Sequence, residues 1–560
     1  FMYGKIHGYQ SQMSQLMARH SPSCRNDADF CLHAYEEHGP HFVRQANLNG
    51  AFVIIICDLK KRQLVIANDR YGLSPVYYCR QSQGLLFASE VKAILHAGVR
   101  QWLLDEEAVA DFFAFGWING NRTLFEGIEV LPPASILTWA NGSASIEQYW
   151  HPEYRPDYST SELELADQLA QSYRRAVGLR MDHRLRCAIS LSGGYDSRAL
   201  IAAVDKPKRR SLITLSYGIP RCHDVEIAAE VATSLGTTHI YIPIDADESV
   251  APHPEEVVYL TDGMHPMIHN SYVAPLFGKA RLHLDVISEG LAAGTTLAGR
   301  WIDKRVLQAK DRTQLAEILT SRRPFSDQMM ARLFRDEYYQ RIKDAPGTHI
   351  ANSLAAEVEH PANLFDYHMI HNMIRRTQFV GSTTLVQNFV ETCPPTFDVD
   401  FFDVILRVPP ELRSQHRIYR TLLKKLDPEL ARIPYEATML PADAPLWLWR
   451  VGEFYQKGRA RTARLLFRLS HGRIFIPNRH SFAPVDQWVR TNAKWRQFTR
   501  DTLLSPNACI REFCRQEFIQ QLVEDHETGR AYHFGRINQL LTFELFLRMF
   551  VAGTLPPPKT

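Results

Sequence analysis

The chain has 560 residues, of which 45% are hydrophobic and 22% are charged. This length exceeds what a single hydrophobic core can organise, so we expect about two to four domains. The composition is ordinary for a globular protein, and a formal net charge of only +3 gives no reason to expect a nucleic-acid binder.

The cysteines and the hydropathy of the chain predict its compartment. Nine cysteines are scattered along the sequence, no two of them form a Cys-x-x-Cys pair, and several lie in apolar runs, as Cys57 and Cys187 do. This pattern predicts buried, reduced thiols in a cytoplasmic protein. No apolar run approaches the roughly 18 residues of a membrane span, and no signal peptide is visible.

Residues 1–150 are predicted to form an antiparallel α+β domain. The chain begins with Phe1, and residues 1–6 have the pattern of a strand interior, so we expect the first strands of this domain to be missing. Turn residues separate further short strands. These strands are predicted over residues 51–58, 63–67, 76–79, 84–88 and 135–140.

Residues 151–160 contain two prolines and few apolar side chains, which predicts a linker. From residue 161 to residue 560 helices and strands alternate at first, which predicts a doubly wound parallel α/β sheet. Beyond about residue 310 the pattern is mostly helical. The strands are predicted over residues 187–191, 211–217, 239–244 and 282–287, and the helices over residues 163–179, 197–204 and 224–235.

The first of these strands ends in the motif Ser-Gly-Gly-Tyr-Asp-Ser, residues 192–197, and passes directly into a helical pattern. Adjacent glycines let successive N–H groups point into one concavity, and the Ser192 and Ser197 hydroxyls and the following helix N-terminus add to it. This predicts a pyrophosphate cradle. Asp196 would repel a bare phosphate, so it predicts a bridging Mg²⁺. A plain Gly-Gly turn is the alternative.

The loops after three predicted strands are expected to converge, because ligands of such sheets bind at the carboxyl ends of strands. They follow Leu191, Tyr217 and Ile287. Farther on, residues 459–473 are basic and amphipathic. Two interpretations stand: a surface for a membrane or an acidic partner, or a solvated helix packed on its domain, which is favoured.

The 192–197 motif resembles that of the PP-loop ATP pyrophosphatases, which cleave ATP between the α- and β-phosphates. Segments elsewhere resemble asparagine synthetase B-type enzymes, in both order and spacing. The resemblance implies an Ntn-type glutaminase-like domain over residues 1–150 and an ATP-binding synthetase domain over residues 161–560. The segments that carry it are residues 48–52, 68–72, 75–78, 87–94, 131–134, 261–263, 406–413 and 419–420.

The resemblance implies an amide-forming ligase that uses ATP and Mg²⁺. A carboxylate, aspartate in the family, would be activated as an acyl-adenylate with release of pyrophosphate, and ammonia from glutamine would attack it. Asp196 and Glu289 are the implied catalytic residues, and Asp196 is also the implied metal ligand. The implied ATP and pyrophosphate site consists of Leu191, Ser192, Gly193, Gly194, Asp196, Ser197, Ser216, Tyr217, Gly218, Ser288 and Gly290.

Several positions depart from the family. No N-terminal cysteine nucleophile is present, Tyr3 replaces an oxyanion-binding Asn, and Lys5 replaces a glutamine-binding Glu, although Asp27 matches a residue that meets the glutamine amine. We therefore expect weak or absent glutaminase activity. In the loop after residue 287 the only carboxylate is Glu289, interpreted either as a base or metal contact or as a surface charge.

The late catalytic Lys of the family would fall in residues 433–438, which contain no Lys; Lys424 and Lys425 are interpreted as surface residues. Two alternatives therefore stay open. One is a glutamine-independent amide ligase or cyclase, as in β-lactam synthetases and lasso-peptide cyclases, and the other is an ATP-binding pseudoenzyme. The expected partners are ATP, aspartate or another carboxylate, and glutamine or an amine. Neither nucleic acid nor a membrane span is expected, and a homodimer stays open.

Overall fold

Two five-stranded sheets of opposite character form the framework of the protein. The computed structural model describes residues 1–10, 12–15, 26–82, 84–98, 101–181, 185–250, 252–470, 474, 476, 479–480 and 482–556. One sheet is antiparallel and lies in the first 150 residues, and the other is parallel and begins at residue 187. The fold class predicted from the sequence is confirmed.

Eight strands build the antiparallel part. They are β1 (Met2–His7), β2 (Asn49–Asp58), β3 (Gln63–Asn68), β4 (Tyr77–Gln81), β5 (Gly84–Ala88), β6 (Glu129–Val130), β7 (Ser135–Ala140) and β8 (Ser143–Gln148). The larger sheet has the order β1-β2-β3-β7-β8, and the smaller has the order β5-β4-β6. Ile54 packs in a core with the helix Asp27–His38, whereas its neighbour Val53 packs against the smaller sheet. The larger sheet is therefore covered on both faces.

Five strands build the parallel sheet, in the order β11-β10-β9-β12-β13. Their bounds are Cys187–Ser190 for β9, Ile213–Gly218 for β10, Thr238–Pro243 for β11, Val286–Ser288 for β12 and Glu391–Cys393 for β13. Ala188 enters one hydrophobic core and Ile189 enters another, because successive side chains of a strand point to opposite faces. Helices cover both faces, as in other doubly wound sheets.

The helices of the described residues lie between the strands and after them, and each is too short or too polar to cross a bilayer. Turns of 3₁₀-helix lie at Gly39–His41, Ile268–Asn270, Pro395–Phe397, Ser414–His416 and Cys509–Glu512, and π-helical turns at Ile370–Gln378, Val380–Thr384 and Leu547–Val551. The α-helices are α1 (Asp27–His38), α2 (Phe42–Gln45), α3 (Val91–His96), α4 (Glu106–Phe115), α5 (Glu162–Arg180), α6 (Tyr195–Ala203), α7 (Lys206–Arg209), α8 (His223–Leu235), α9 (His253–Leu260), α10 (Val273–Ala280), α11 (Ala293–Thr296), α12 (Lys304–Gln308), α13 (Arg312–Ser321), α14 (Asp327–Leu333), α15 (Asp336–Ile342), α16 (Ala345–Ser353), α17 (Pro361–Met369), α18 (Val399–Ile405), α19 (Pro410–Arg413), α20 (Arg417–Leu426), α21 (Pro428–Arg432), α22 (Leu446–Leu469), α23 (Val485–Thr491), α24 (Ala493–Leu503), α25 (Gln516–Glu527) and α26 (Phe534–Phe546).

Several details differ from the sequence prediction, and the strands β6 and β8 are among those that were not predicted. The strand expected from residue 282 begins only at Val286, because the preceding residues form a turn in which Leu282 is 70% exposed. β13 was not predicted, since three residues carry no periodic pattern. Cys57 is exposed rather than buried, because it lies on the face of β2 opposite to the buried Ile56, and Cys187 is half-buried. No disulfide joins the eight described cysteines, and Cys24 lies outside the described residues.

The antiparallel and parallel parts share a hydrophobic core. Phe113 of α4 packs edge-on against Phe543 of α26, with ring centroids 5.2 Å apart. Both rings belong to the same buried cluster as Ala188 of β9. The segment of residues 151–160 has no helix or strand. It lies against the second part, where the N–H of Asp157 donates to the carbonyl of Arg407 at 2.8 Å. The limits of the two predicted domains stay predictions.

A buried ion pair joins β2 to the helices of the second part. The guanidinium of Arg180, at the end of α5, donates to the carboxylate of Asp398 at 2.6 Å, and the Asn49 amide donates to the same oxygen at 2.7 Å. The Asp398 side chain is 1% exposed and that of Arg180 is 4% exposed. Removing one partner of such a pair leaves an uncompensated buried charge.

We expect Asp398→Asn to lower the free energy of unfolding by about 3–5 kcal/mol, because Arg180 would stay buried without its counter-ion. The matched control is Asp400→Asn, two residues away, whose carboxylate pairs with Arg175 at the surface and is expected to matter by about 0–1 kcal/mol. Urea unfolding followed by tryptophan fluorescence measures both. Equal midpoint shifts for the two variants would contradict the assignment.

Candidate active site

The candidate site lies where β9 is followed by α6, in residues 191–197, here called the 191–197 loop. The N–H of Leu191 donates to the carbonyl of Leu215 on β10 at 2.7 Å, so the chain leaves the sheet directly after it. The cap residue of α6 is Gly194, and no side chain in the described part of the chain caps this helix. The positive end of the helix dipole therefore points into the loop.

The two serines of the motif close the loop on itself. The N–H of Ser192 donates to the hydroxyl oxygen of Ser197 at 3.0 Å, and the N–H of Gly194 donates to that of Ser192 at 3.2 Å. The two hydroxyl oxygens lie 3.0 Å apart. Both hydroxyls, expected from the sequence as ligand donors, are thus bonded within the loop in this structure.

A carboxylate from the next helix binds to the loop. The N–H of Gly193 donates to Oδ1 of Asp224 at 2.9 Å, and Asp224 lies in the first turn of α8. Burial raises the pKa of Asp224 to about 6 against the effect of this hydrogen bond. A carboxylate oxygen has the charge and the acceptor geometry of a phosphate oxygen, so the backbone of this loop is able to bind an anion.

Two glycines make close backbone approaches that a side chain would prevent. A Cβ atom on Gly193 would lie 2.7 Å from Cβ of Glu436, and one on Gly290 would lie 2.7 Å from Cβ of Asp196. Gly290 follows β12, so the loops after β9 and β12 touch each other, as the sequence predicted for adjacent strand ends.

Asp196 is held by the loop that follows β12. The N–H of Gly294 donates to its Oδ2 at 3.0 Å. Burial raises the pKa of Asp196 to about 6, while hydrogen bonds from Tyr419 and Gly294 and the charge of Arg300 oppose the rise. Asp196 is therefore a partly desolvated carboxyl at the mouth of the loop.

Glu289 faces a different neighbour. The hydroxyl of Ser382, in a π-helical turn, donates to its carboxylate. Burial raises the pKa of Glu289, and its charge raises the pKa values of Tyr217 and Tyr272. Glu289 is half-buried and bonded to the π-helical turn. This favours a contact in the site over a surface charge, and its role stays a prediction.

The remaining predicted residues divide between the site and the sheet. Ser216 is 2% exposed and lies 3.0 Å from Nε2 of His239, and the hydroxyl of Ser288 donates to the carbonyl of Cys393 at 3.0 Å. Both side chains are thus engaged by neighbouring strands. Tyr217 packs among aromatic rings, and Gly218 adopts a φ of 154°, which favours glycine.

Sequence reasoning missed three charged residues at the loop, which are Asp224, Glu436 and Arg300. Asp224 lies in the first turn of the helix after β10 and could have been found as a carboxylate at the same sheet edge. Glu436 gave no signal, because it comes from a distant segment. Burial and the charge of Asp224 raise the pKa of Glu436 to about 8, whereas the exposed Arg300 lowers it. The loop therefore faces three carboxyl groups and this arginine.

A buried arginine fixes the segment that carries Glu436. The guanidinium of Arg198 donates to the carbonyls of Gly193, Ile433 and Pro434, at 3.0, 2.5 and 2.8 Å. Both of its terminal nitrogens bond to the backbone, whereas Nε has no hydrogen-bond partner among the described residues, and the side chain is fully buried. Arg198 therefore shapes the loop rather than offering a charge to a ligand.

No group of three or more His, Cys, Asp and Glu residues in the described ranges is placed to hold a metal ion. Mg²⁺ needs only one or two carboxylates when phosphate oxygens complete its shell, so Asp196 alone fits this use. Lys424 is exposed, and Lys425 pairs with Asp167 at 2.8 Å. Both lysines are surface residues, as interpreted from the sequence.

Two family models match the chain: the glutamine amidotransferase domain over residues 1–150 and asparagine synthase over residues 168–430. The chain belongs to the asparagine synthetase family. It is an enzyme of that type, an ATP-dependent amide ligase joined to a glutamine amidotransferase domain.

Similar proteins support this family assignment at low sequence identity. Glutamine-hydrolyzing asparagine synthetase 1 of Bacillus subtilis is 23% identical over 465 residues, which cover 75% of this chain and 72% of that protein. A putative asparagine synthetase of Mycobacterium bovis is 25% identical over 55% of this chain and 48% of its own length. Amidase chyE of Penicillium rubens is 26% identical over 46% of this chain and 40% of its own length. The chain thus spans less than half the length of the latter two.

One solved structure, the allosteric regulatory enzyme of purine biosynthesis, matches 43% of this chain and 59% of that chain. The sequence identity is 11% and the TM-score is 0.21. A similarity this low does not bear on the fold or on the function.

A cavity of about 540 Å³, separate from the 191–197 loop, lies between the two parts, and Asp27 is one of its lining residues. The carboxylate of Asp27 accepts hydrogen bonds from the Ile6 N–H at 3.1 Å and from the Tyr9 hydroxyl. Tyr3 and Lys5 also line the cavity, and the Tyr3 hydroxyl donates to Gln387 at 3.0 Å. Asp27 therefore lies apart from the 191–197 loop, in one cavity with Tyr3 and Lys5. The departure of these two residues from the family pattern stays a prediction.

We expect Glu436→Gln to stabilise the protein in alkaline solution. Because the folded state binds the Glu436 proton more tightly than the unfolded chain does, this carboxyl contributes stability below about pH 4.3 that is lost as the pH rises through about 8. From these two pKa values, the variant should be more stable than the parent by up to about 5 kcal/mol at about pH 9 and by only about 1 kcal/mol at about pH 5.

Urea unfolding at the two pH values measures this difference. Glu429→Gln is the matched control, since Glu429 is an exposed carboxyl seven residues away. A Glu436→Gln variant that follows the parent's pH dependence would show that Glu436 is well solvated.

Proposed function

We propose that this enzyme uses ATP to activate a carboxylate as an acyl-adenylate with release of pyrophosphate, and then joins the acyl group to a nitrogen nucleophile. The observation that carries the proposal is the binding of a carboxylate by the Gly193 N–H at the uncapped end of α6. A backbone that already binds one oxyanion fits the phosphates of a nucleotide.

In this proposal the 191–197 loop binds the β- and γ-phosphates, and Asp224 leaves the Gly193 N–H when they arrive. Asp196 would hold Mg²⁺ together with phosphate oxygens. The ion would neutralise the charge that develops on pyrophosphate as it departs. Asp196 and Glu289 are the proposed catalytic carboxylates, and Ser216, Tyr217, Gly218, Ser288 and Gly290 are proposed around the nucleoside.

Arg300 is the proposed cationic contact of the loop. The family's late Lys has no counterpart in residues 433–438, and Arg198 is bound to carbonyls. The charge of Arg300 acts on both Asp196 and Glu436, so its guanidinium lies within electrostatic range of the site. A phosphate or an acyl oxyanion bound here would be stabilised by it.

Aspartate and ammonia from glutamine are the proposed substrates, following the names of the relatives. A second candidate uses an amine of the substrate itself, as in a glutamine-independent amide ligase or cyclase. The observation that favours it is the cavity at Asp27, where Lys5 adds a positive charge and Tyr3 bonds to Gln387 instead of offering an amide donor. A neighbouring cation repels the positively charged amine of glutamine and therefore weakens its binding.

Pyrophosphate release from ATP and Mg²⁺ tests the proposal. Asparagine formed with aspartate and glutamine would support the first substrate set, and product with ammonium alone would indicate a synthetase without glutaminase. Release only with another carboxylate would support the second candidate. Tight ATP binding without turnover on any carboxylate would overturn the enzymatic proposal and leave a pseudoenzyme.

We expect Asp196→Asn to lower pyrophosphate release at least about 100-fold, because the variant keeps the shape of the side chain but loses the charge that binds the metal. Asp167→Asn serves as its control, since Asp167 pairs with Lys425 at the surface. Fixed-time assays of pyrophosphate release at saturating Mg²⁺ measure the activity of both variants. Full activity of Asp196→Asn would remove the proposed metal role.

We expect Gly290→Ala to weaken ATP binding by about 10-fold or more, because its Cβ would lie within 2.9 Å of three atoms of Asp196 and push the two loops apart. Gly278→Ala is the control, since Gly278 has nothing within 4 Å of the added Cβ and lies in α10. Titration calorimetry with ATP measures both. Unchanged affinity in Gly290→Ala would mean that the two loops do not form one site.

A further inference from the structure

Helix α22 has an apolar face that the rest of the described protein does not cover. Only Trp449 and Phe467 are buried among its 24 residues. Six large apolar or aromatic side chains of the same helix are exposed: Tyr455, which is 65% exposed, and five others that are here called the outer stripe. The outer stripe consists of Trp447, Val451, Phe454, Leu465 and Leu469, which are 67%, 55%, 77%, 52% and 68% exposed.

The spacing of these residues places them on one side of the helix. Residues three, four or seven positions apart lie on the same face, and Gly458 and Thr462 continue the line between Phe454 and Leu465. At about 100° per residue, Trp449 and Phe467 project from nearly the opposite side. The helix therefore has one apolar face toward the protein and another toward solvent.

Packing beside the candidate active site fixes this orientation. The indole of Trp449 is stacked on Tyr435, with centroids 6.1 Å apart and rings 7° from parallel, and Tyr435 is stacked on Tyr195 of α6 at 4.2 Å. A Cβ on Gly452 would lie 3.0 Å from the carbonyl of Thr438. The side of α22 that carries Trp449 and Gly452, here called the inner face, cannot rotate outward without breaking these contacts. The outer stripe therefore stays exposed to solvent.

Positive charge accompanies the outer stripe. Glu453 is the only acidic residue of α22, and it pairs with Lys457 at 2.7 Å. The six cationic side chains of the helix are all exposed. They are Arg450, Lys457, Arg459, Arg461, Arg464 and Arg468.

The sequence favoured a solvated helix packed on its domain for residues 459–473, of which residues 471–473 lie outside the described residues. That interpretation is correct for the inner face only. The opposite face is apolar, which a merely solvated helix does not require.

We propose that α22 binds peripherally to an anionic phospholipid surface, with the outer stripe at the boundary of headgroups and acyl chains. Trp447 and Phe454 are side chains that favour this boundary, and the arginines match the charge of lipid phosphates. A helix with a strongly charged face and an apolar face lies in the plane of the interface rather than crossing it.

The other occupants fit less well. A second copy of the chain would bring six further cations against these six, and like charges repel. An acidic protein segment would need a groove to bury its own apolar side chains, whereas a single protruding helix is convex. A fluid lipid surface adapts to a convex ridge.

Co-sedimentation with vesicles tests the proposal with the full chain. We expect binding to vesicles of equimolar phosphatidylcholine and phosphatidylglycerol, no binding to pure phosphatidylcholine, and weaker binding at high salt. The double variant Trp447→Ser, Phe454→Ser should lower the partition coefficient about 10-fold or more. The matched control is Leu59→Ser, Leu282→Ser, which removes two leucines that are 83% and 70% exposed outside α22.

A charge variant separates the two contributions. Arg461→Glu, Arg468→Glu should abolish the preference for phosphatidylglycerol while circular dichroism stays that of the parent. Failure of the parent to bind the anionic vesicles overturns the proposal, as does equal binding by the Trp447→Ser, Phe454→Ser variant. A parent dimer that this variant converts to a monomer, with no vesicle binding, would assign the stripe to self-association instead. Pyrophosphate release without lipid is a separate readout, so these outcomes are independent of the proposed catalysis.

Discussion

The backbone of Gly290 lies against Asp196, and the arrangement of the candidate active site depends on that approach. Because no Cβ separates the loop after β12 from the start of α6, the Gly294 N–H can reach the Asp196 carboxylate. The approach of Gly193 to Glu436 acts in the same way on the other side of the loop. Two glycines thus set the distance between three segments that are far apart in the sequence.

The same close packing determines the electrostatics of the site. Asp196, Asp224 and Glu436 are brought together in a partly desolvated space, and the pKa of each is raised, mainly by burial. The buried arginine beside the loop, Arg198, has both terminal nitrogens bound to carbonyl groups. A site with excess carboxyl groups favours a bound cation beside Arg300, and Mg²⁺ would supply that charge when a nucleotide binds.

The parts of this structure that depend on local sequence could be predicted, and the parts that depend on distant contacts could not. The strands around Ala51 and Ala188 have clear apolar runs bounded by turn residues, and the motif at residues 192–197 carries its own backbone signal. β13 pairs with β12 from about 100 residues away and is only three residues long. Glu436 reaches the loop only through the tertiary fold. Even within the motif, the sequence indicated which groups are donors, but in the structure the hydroxyls of Ser192 and Ser197 form hydrogen bonds within the loop itself.

The shared core has an evolutionary consequence. Phe113 of the amidotransferase part packs against Phe543 at the far end of the chain, and Asn49 completes the buried ion pair of Arg180 and Asp398. A lineage that stopped using glutamine could lose the residues that bind it, at positions such as those of Tyr3 and Lys5. It could not delete the surrounding domain, because the ligase would lose part of its own interior. Retention of this domain is therefore not by itself evidence that glutamine is the nitrogen source.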